Sequence, residues 1–133
     1  MYIKTGDSTR GNNFFSGKNI VITGGTGYLG STLLKLLLDK SSTLTVLCRK
    51  PNNIYFESLD NINVVIGDLS DRKIWKELLD KADYIFHLAG LEYDRTNFNH
   101  DLDLQLNFLS VVNLLQECDE YGYAPRIIFT SSS

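Results

Sequence analysis

Five short apolar runs divide this sequence. They cover residues 18–23 (KNIVIT), 43–48 (TLTVLC), 63–66 (NVVI), 84–89 (YIFHLA) and 126–130 (RIIFT). Each is too short for a buried helix, and most are rich in β-branched or aromatic residues, so each reads as a strand. Helical patterns alternate with them. Leu29, Leu33, Leu36 and Leu37 recur at helical spacing within 27–40. Ile74 with Leu78 and Trp75 with Leu79 form i,i+4 pairs within 71–79, where Ser70 is the expected N-cap and Asp71 suits the first turn. A long helix is expected over 99–121, with Leu102, Leu106, Leu109 and Asn113 on one side; Gly122 stops it and Pro125 lies just beyond. Only the stretch after Pro51 is weak, with at most a helical turn over 54–59. Strands that are apolar on both faces and alternate with helices form a parallel sheet covered on both sides. Right-handed crossovers leave two strand orders, 3-2-1-4-5 and 2-1-3-4-5.

The size fits one such domain and leaves no room for a second. A chain of 133 residues supports one domain, and 43% hydrophobic with 22% charged residues is ordinary globular composition. The net charge of −3 carries no basic excess for a nucleic acid, and no cluster of Lys or Arg suits an anionic membrane surface. No apolar run approaches the ~20 residues that span a bilayer. Cys48 and Cys118 are isolated thiols, and neither they nor His87 and His100 show metal-ligand spacing. A reduced, cytoplasmic setting follows as the expectation. Residues 1–16 are polar, lack an apolar signal core and read as a flexible N-terminal arm, with Phe14 and Phe15 resting on the body. The domain proper is then 17–133.

The segment Thr23-Gly24-Gly25-Thr26-Gly27-Tyr28-Leu29-Gly30 falls between the first strand and the first helix. Read from Gly25 it is G-x-G-x-x-G; read from Gly24 it is G-x-x-G-x-x-G. A tight turn needs a residue that tolerates positive φ. A bare backbone lets a pyrophosphate approach, and the last glycine lets helix and strand pack closely. The phosphates would then meet free N–H groups at the positive end of a helix dipole. A glycine pattern alone is weak, but the first βα turn of an alternating chain is its confirming context. A P-loop is excluded, because Ser31 rather than lysine follows Gly30.

The stretch GKNIVITGGTGYLGSTLLKLLL resembles the opening of the extended short-chain dehydrogenase/reductase family, which contains the NAD(P)-dependent sugar-nucleotide epimerases and dehydratases. Four later landmarks resemble the same family in the same order: Gly67-Asp68-Leu69, His87-Leu88-Ala89-Gly90, Asn107 with Asn113-Leu114-Leu115, and Phe129-Thr130-Ser131-Ser132. The resemblance implies a Rossmann-like doubly wound sheet in the order 3-2-1-4-5. Gly24, Gly27 and Gly30, with the amides of Tyr28 and Leu29, would carry the cofactor pyrophosphate. Asp68 would accept from the adenine amino group, with Leu69 beside the ring. Ala89 and Gly90, small residues at the carboxyl end of the fourth strand, would leave room for a ribose. Asn107 would support the site from the long helix, and His87 reads as a packed strand histidine. Ser132 would hydrogen-bond the substrate as the catalytic serine. A homodimer through the long helix is a further implication.

One position departs from the usual NAD pattern. Dinucleotide-binding domains place an Asp or Glu ~20 residues past the first glycine to bind the ribose 2′-hydroxyl. This chain has Cys48 and Arg49 there. No carboxylate repels a 2′-phosphate and Arg49 can bind one, which tilts the cofactor from NAD toward NADP.

The Tyr-x-x-x-Lys pair that works with the serine in the resembling family is missing. None of the 7 tyrosines has a lysine four residues on. Two readings therefore stand. In the first, the chain is the cofactor-binding half of an epimerase- or dehydratase-type oxidoreductase acting on a small molecule such as a sugar nucleotide, inactive without its substrate half; an NADP-dependent carbonyl or thioester reductase is the variant within this class. In the second, it is a non-catalytic dinucleotide-binding sensor or subunit. The run Ile127-Ile128-Phe129 would lie on an edge strand, which finished proteins usually protect; this favours the first.

Overall fold

A computed structural model describes residues 14–38, 40, 42–50, 61–90 and 99–130. The expected helical turn at 54–59, residues 1–13 of the arm, and Ser131 to Ser133 lie outside the described residues. Five parallel strands, β1 (Asn19–Thr23), β2 (Thr43–Cys48), β3 (Ile62–Ile66), β4 (Tyr84–His87) and β5 (Arg126–Phe129), form one sheet in the order β3-β2-β1-β4-β5. This is the doubly wound order implied by the resemblance. The order reverses between β1 and β4, the place where such sheets open a crevice at their carboxyl ends.

Strand alternation builds two cores. Ile20, Ile22, Leu44 and Val46 face one side of the sheet, where α1 (Tyr28–Leu37) lays Leu34 and Leu37 on them. Val21, Leu47 and Ile85 face the other, under Trp75, Leu78 and Leu79 of α2 (Arg72–Leu79) and Leu114 of α4 (Ser110–Tyr121). Phe15 packs against the first core and meets Tyr84 edge-on at 5.3 Å, so the end of the arm is docked as expected.

Three local expectations are corrected. In α1 the inward face is Gly30, Leu34 and Leu37, while Leu29 and Leu36 are exposed. Gly30 sets that phase, since its lack of a side chain presses this face against the turn before the helix. The N-cap of α2 is Asp71, not Ser70. The Asp71 carboxylate accepts from the Lys73 amide at 2.9 Å, and the Ser70 amide is already donated to Asp68 at 2.8 Å. The long helix is not uniform: capped by Asn99, it runs as α3 (His100–Asp103), a π-helical stretch Leu104–Leu109, and α4. The wider turn moves its face, so Leu106, Ser110, Leu114 and Glu117 point inward while Leu102 and Leu109 are exposed. Gly122 ends α4 in the left-handed conformation, its amide donating to the Cys118 carbonyl.

A candidate dinucleotide site at the sheet's switch point

The turn from β1 into α1 is compressed. Gly24 has φ +72°, and a Cβ there would lie 2.7 Å from the Ala89 nitrogen and 2.8 Å from the Leu88 carbonyl carbon. Only glycine lets the ends of β1 and β4 come this close. A Cβ on Gly30 would collide with the Gly24 carbonyl oxygen and lie 2.7 Å from the Gly25 Cα. Gly27 is the N-cap of α1, with no side-chain cap, and its amide donates to the Gly24 carbonyl at 3.0 Å. The amides of Tyr28, Leu29 and Gly30 are the first three of the helix, which have no intrahelical acceptor. No acidic residue lies in that first turn. The helix therefore opens with bare donors and a positive dipole end, suited to an anion.

The turn forms one wall of a cleft. Gly24, Gly27, Arg49, Leu69, Ala89 and Gly90 all line it, as do Thr26, Cys48, Gly67 and Leu88. Six expected site residues thus converge from four loops. Tyr28, Leu29 and Gly30 follow Gly27 in the first turn of α1 without lining the cleft, and the Tyr28 and Leu29 side chains are exposed. Asp68 sits between the lining residues Gly67 and Leu69. The Ser70 amide, then the Ser70 hydroxyl, and then the charge of Arg49 hold its carboxyl below the usual Asp range. Asp68 therefore has a structural task in shaping the turn into α2, beside any ligand. Cys48 is buried, which pushes its thiol pKa up. Asn107 places its Oδ1 against Gly90, where a Cβ would lie 2.9 Å away, and its amide donates to Asp103 at 2.6 Å. The serine expected to be catalytic, Ser132, lies outside the described residues.

Behind the cleft runs a buried chain of hydrogen bonds. The Ala89 amide donates to the Thr23 hydroxyl at 3.3 Å, and Thr23 Oγ1 meets His87 Nδ1 at 2.8 Å. His87 Nε2 meets Ser110 Oγ at 3.3 Å, and the Ser110 hydroxyl donates to the Leu106 carbonyl at 2.5 Å. Since Ser110 spends its proton on Leu106, its oxygen accepts from Nε2–H, and Nδ1 accepts from Thr23. Burial pushes the His87 pKa down to about 4, so the ring is neutral at neutral pH. It is a packed strand histidine, as the sequence suggests, held between Trp75 and Phe129.

Residues 20–133 match the sequence profile of the NAD dependent epimerase/dehydratase family. The chain belongs to that family. A curated member, the D-erythronate dehydrogenase of Cupriavidus necator, is 34% identical over 128 residues, covering 86% of this chain and 38% of that protein. The CDP-paratose 2-epimerase of Salmonella typhi is 32% identical over 123 residues, covering 86% of this chain and 36% of that protein. Among solved structures, the Y136A mutant of the Agrobacterium tumefaciens uronate dehydrogenase complexed with NAD superposes with a TM-score of 0.74 at 26% identity, covering 88% of this chain and 42% of that one. The chain thus spans well under half the length of these epimerase/dehydratase relatives.

Membership gives the cleft a context and leaves some of its parts unexplained by motif reading. Thr23 and Ser110 were not legible as site residues in the sequence. The only available signal for Thr23 was its place directly before the glycines. Ser110 carried none, because the π-helical turn that aims it inward is not written in the apolar spacing.

Proposed function

We propose that residues 17–133 are the dinucleotide-binding domain of an NAD(P)-dependent oxidoreductase of the epimerase/dehydratase type, which moves a hydride between a nicotinamide and a sugar or sugar nucleotide. The observation that carries this reading is the cradle at the switch point: a glycine-capped helix start with no acidic residue in its first turn, and Gly24 in close approach to Ala89 at the end of β4. That cradle fits a pyrophosphate. Gly24 and Gly27 would flank it, and the amides of Tyr28, Leu29 and Gly30 would donate to it. Leu69 would pack the adenine, Asp68 would accept from its amino group, and Ala89 and Gly90 would leave space for a ribose. The nicotinamide, when bound, supplies the hydride acceptor or donor. Ser132 would orient the substrate oxygen, and turnover would need the Tyr/Lys chemistry found in the resembling family. The sugar-type substrates named for the relatives support the substrate class.

Arg49 supports NADP over NAD, because it lines the cleft beside Cys48 where a ribose-binding carboxylate is usual. The solved relative cited above holds NAD, which supports the other choice. Parallel titrations decide between them. We expect NADP to bind more tightly, and Arg49→Ala to weaken it about tenfold while leaving NAD unchanged. Tighter NAD binding that is indifferent to Arg49→Ala removes the preference. A homodimer through the long helix is consistent with the exposed Leu104, Phe108 and Leu115 there; sedimentation measures it, and a monomer at high concentration excludes it.

A further inference from the structure

The chain Ala89–Thr23–His87–Ser110–Leu106 joins three elements that the cleft needs in register. Thr23 is the last residue before the glycine turn, Ala89 lines the cleft from the end of β4, and Leu106 is a cleft-lining residue of the π-helical stretch. His87 sits between them, 1% exposed, with both ring nitrogens engaged. The roles run in one direction. The Ala89 amide donates to Thr23, Thr23 to Nδ1, Nε2–H to Ser110, and Ser110 to the Leu106 carbonyl. Each hydroxyl donates in one direction and accepts from the other, so no member can rotate without orphaning a buried neighbour. The pull on Leu106 also has a local consequence: a serine hydroxyl bonded to the carbonyl four residues back competes with the helix ladder, at the place where the helix widens.

We propose that His87 is a positioning residue for the dinucleotide, a neutral two-sided clamp that fixes the Ala89–Gly90 wall and the π-helical stretch carrying Asn107 relative to the glycine turn. It touches no reacting atom. Its effect passes through the Thr23 hydroxyl, whose proton goes to Nδ1 and whose lone pair is thereby aimed at the Ala89 amide. The proposal rests on the dinucleotide reading above, and its test separates the two.

The test is calorimetric titration of NAD and of NADP into the 133-residue chain, with thermal unfolding of every variant measured in parallel. Thr23→Val keeps the volume and deletes the hydroxyl. His87→Phe keeps a ring between Trp75 and Phe129 and deletes both nitrogens. His87→Asn places an acceptor near the Nδ1 position, and His87→Gln reaches only toward Ser110. We expect Thr23→Val and His87→Phe each to weaken binding about tenfold, and the pair together by no more than either alone, because they break one chain. His87→Asn should return binding to within about threefold of wild type, whereas His87→Gln should not. The Ala89 amide should exchange faster with solvent in the weakened variants. Wild-type binding that survives all four substitutions overturns the proposal. So does a loss that simply follows the fall in melting temperature, with Asn and Gln alike. If the wild-type chain binds neither cofactor, the dinucleotide reading falls and the proposal falls with it.

Discussion

Single residues at the turn are under more constraint than their chemistry suggests. Gly30 is a packing residue: any Cβ strikes the Gly24 carbonyl. Gly30→Ala should lower the free energy of unfolding by roughly 3 kcal/mol, read from urea denaturation, because neither the turn nor α1 can move aside without opening the core. His87 gives a second prediction with a definite sign. The ordinary histidine value is 6.5 and burial lowers it to about 4 in the folded protein. Between those values the unfolded chain binds a proton that the folded one refuses. Stability is therefore complete above pH 6.5 and declines as the pH falls toward 4, by about 3 kcal/mol in all. Unfolding measured at pH 7.5 and 4.5 should show most of that loss in the wild type, and His87→Phe should lack it. The glycines of this turn were legible in the sequence because their need is local to the backbone. The partners of His87 were not, since Thr23 and Ser110 are 64 and 23 residues away.

At the scale of elements, the two helices on one face are tied by charge. Arg72 of α2 donates through Nε to the Glu117 carboxylate of α4 at 2.6 Å and reaches Glu120 at 2.8 Å. Glu117 is buried and Glu120 exposed, so the two pairs differ in kind. Arg72→Ala strands a buried carboxylate and should lower the melting temperature clearly, whereas Glu120→Ala should scarcely change it. Double substitution of Arg72 with Glu117→Gln should recover part of the loss. The strands and the two shorter helices were readable because period and length carry them. The break in the long helix was not. Ser110 bonds Leu106 and Asn107 bonds Asp103 within and beside it, contacts that apolar spacing does not encode. The α2 cap is Asp71 rather than Ser70 because it is the Asp71 carboxylate that accepts the Lys73 amide, a choice between neighbouring caps that spacing does not make.

At the scale of the whole molecule, the sheet order determines where a ligand can sit. Reversal between β1 and β4 places a bare glycine turn opposite the small residues that end β4, and the resemblance to the epimerase/dehydratase family anticipated both. The central claim is that this cradle binds a dinucleotide through its phosphates. Gly27→Asp tests it most directly. Gly27 has φ −76° and ψ 175°, ordinary extended backbone for a capping residue, and a Cβ there meets the Gly24 carbonyl at 3.2 Å. Aspartate is a favoured N-cap, so stability should stay within about 1 kcal/mol of wild type. Its carboxylate, however, would occupy and charge the helix start that the pyrophosphate needs. Titration of NAD and NADP into wild type and Gly27→Asp should show saturable binding to the first and none to the second, at matched melting temperatures. Binding that persists in Gly27→Asp, or a wild-type chain that binds neither dinucleotide, would contradict the account.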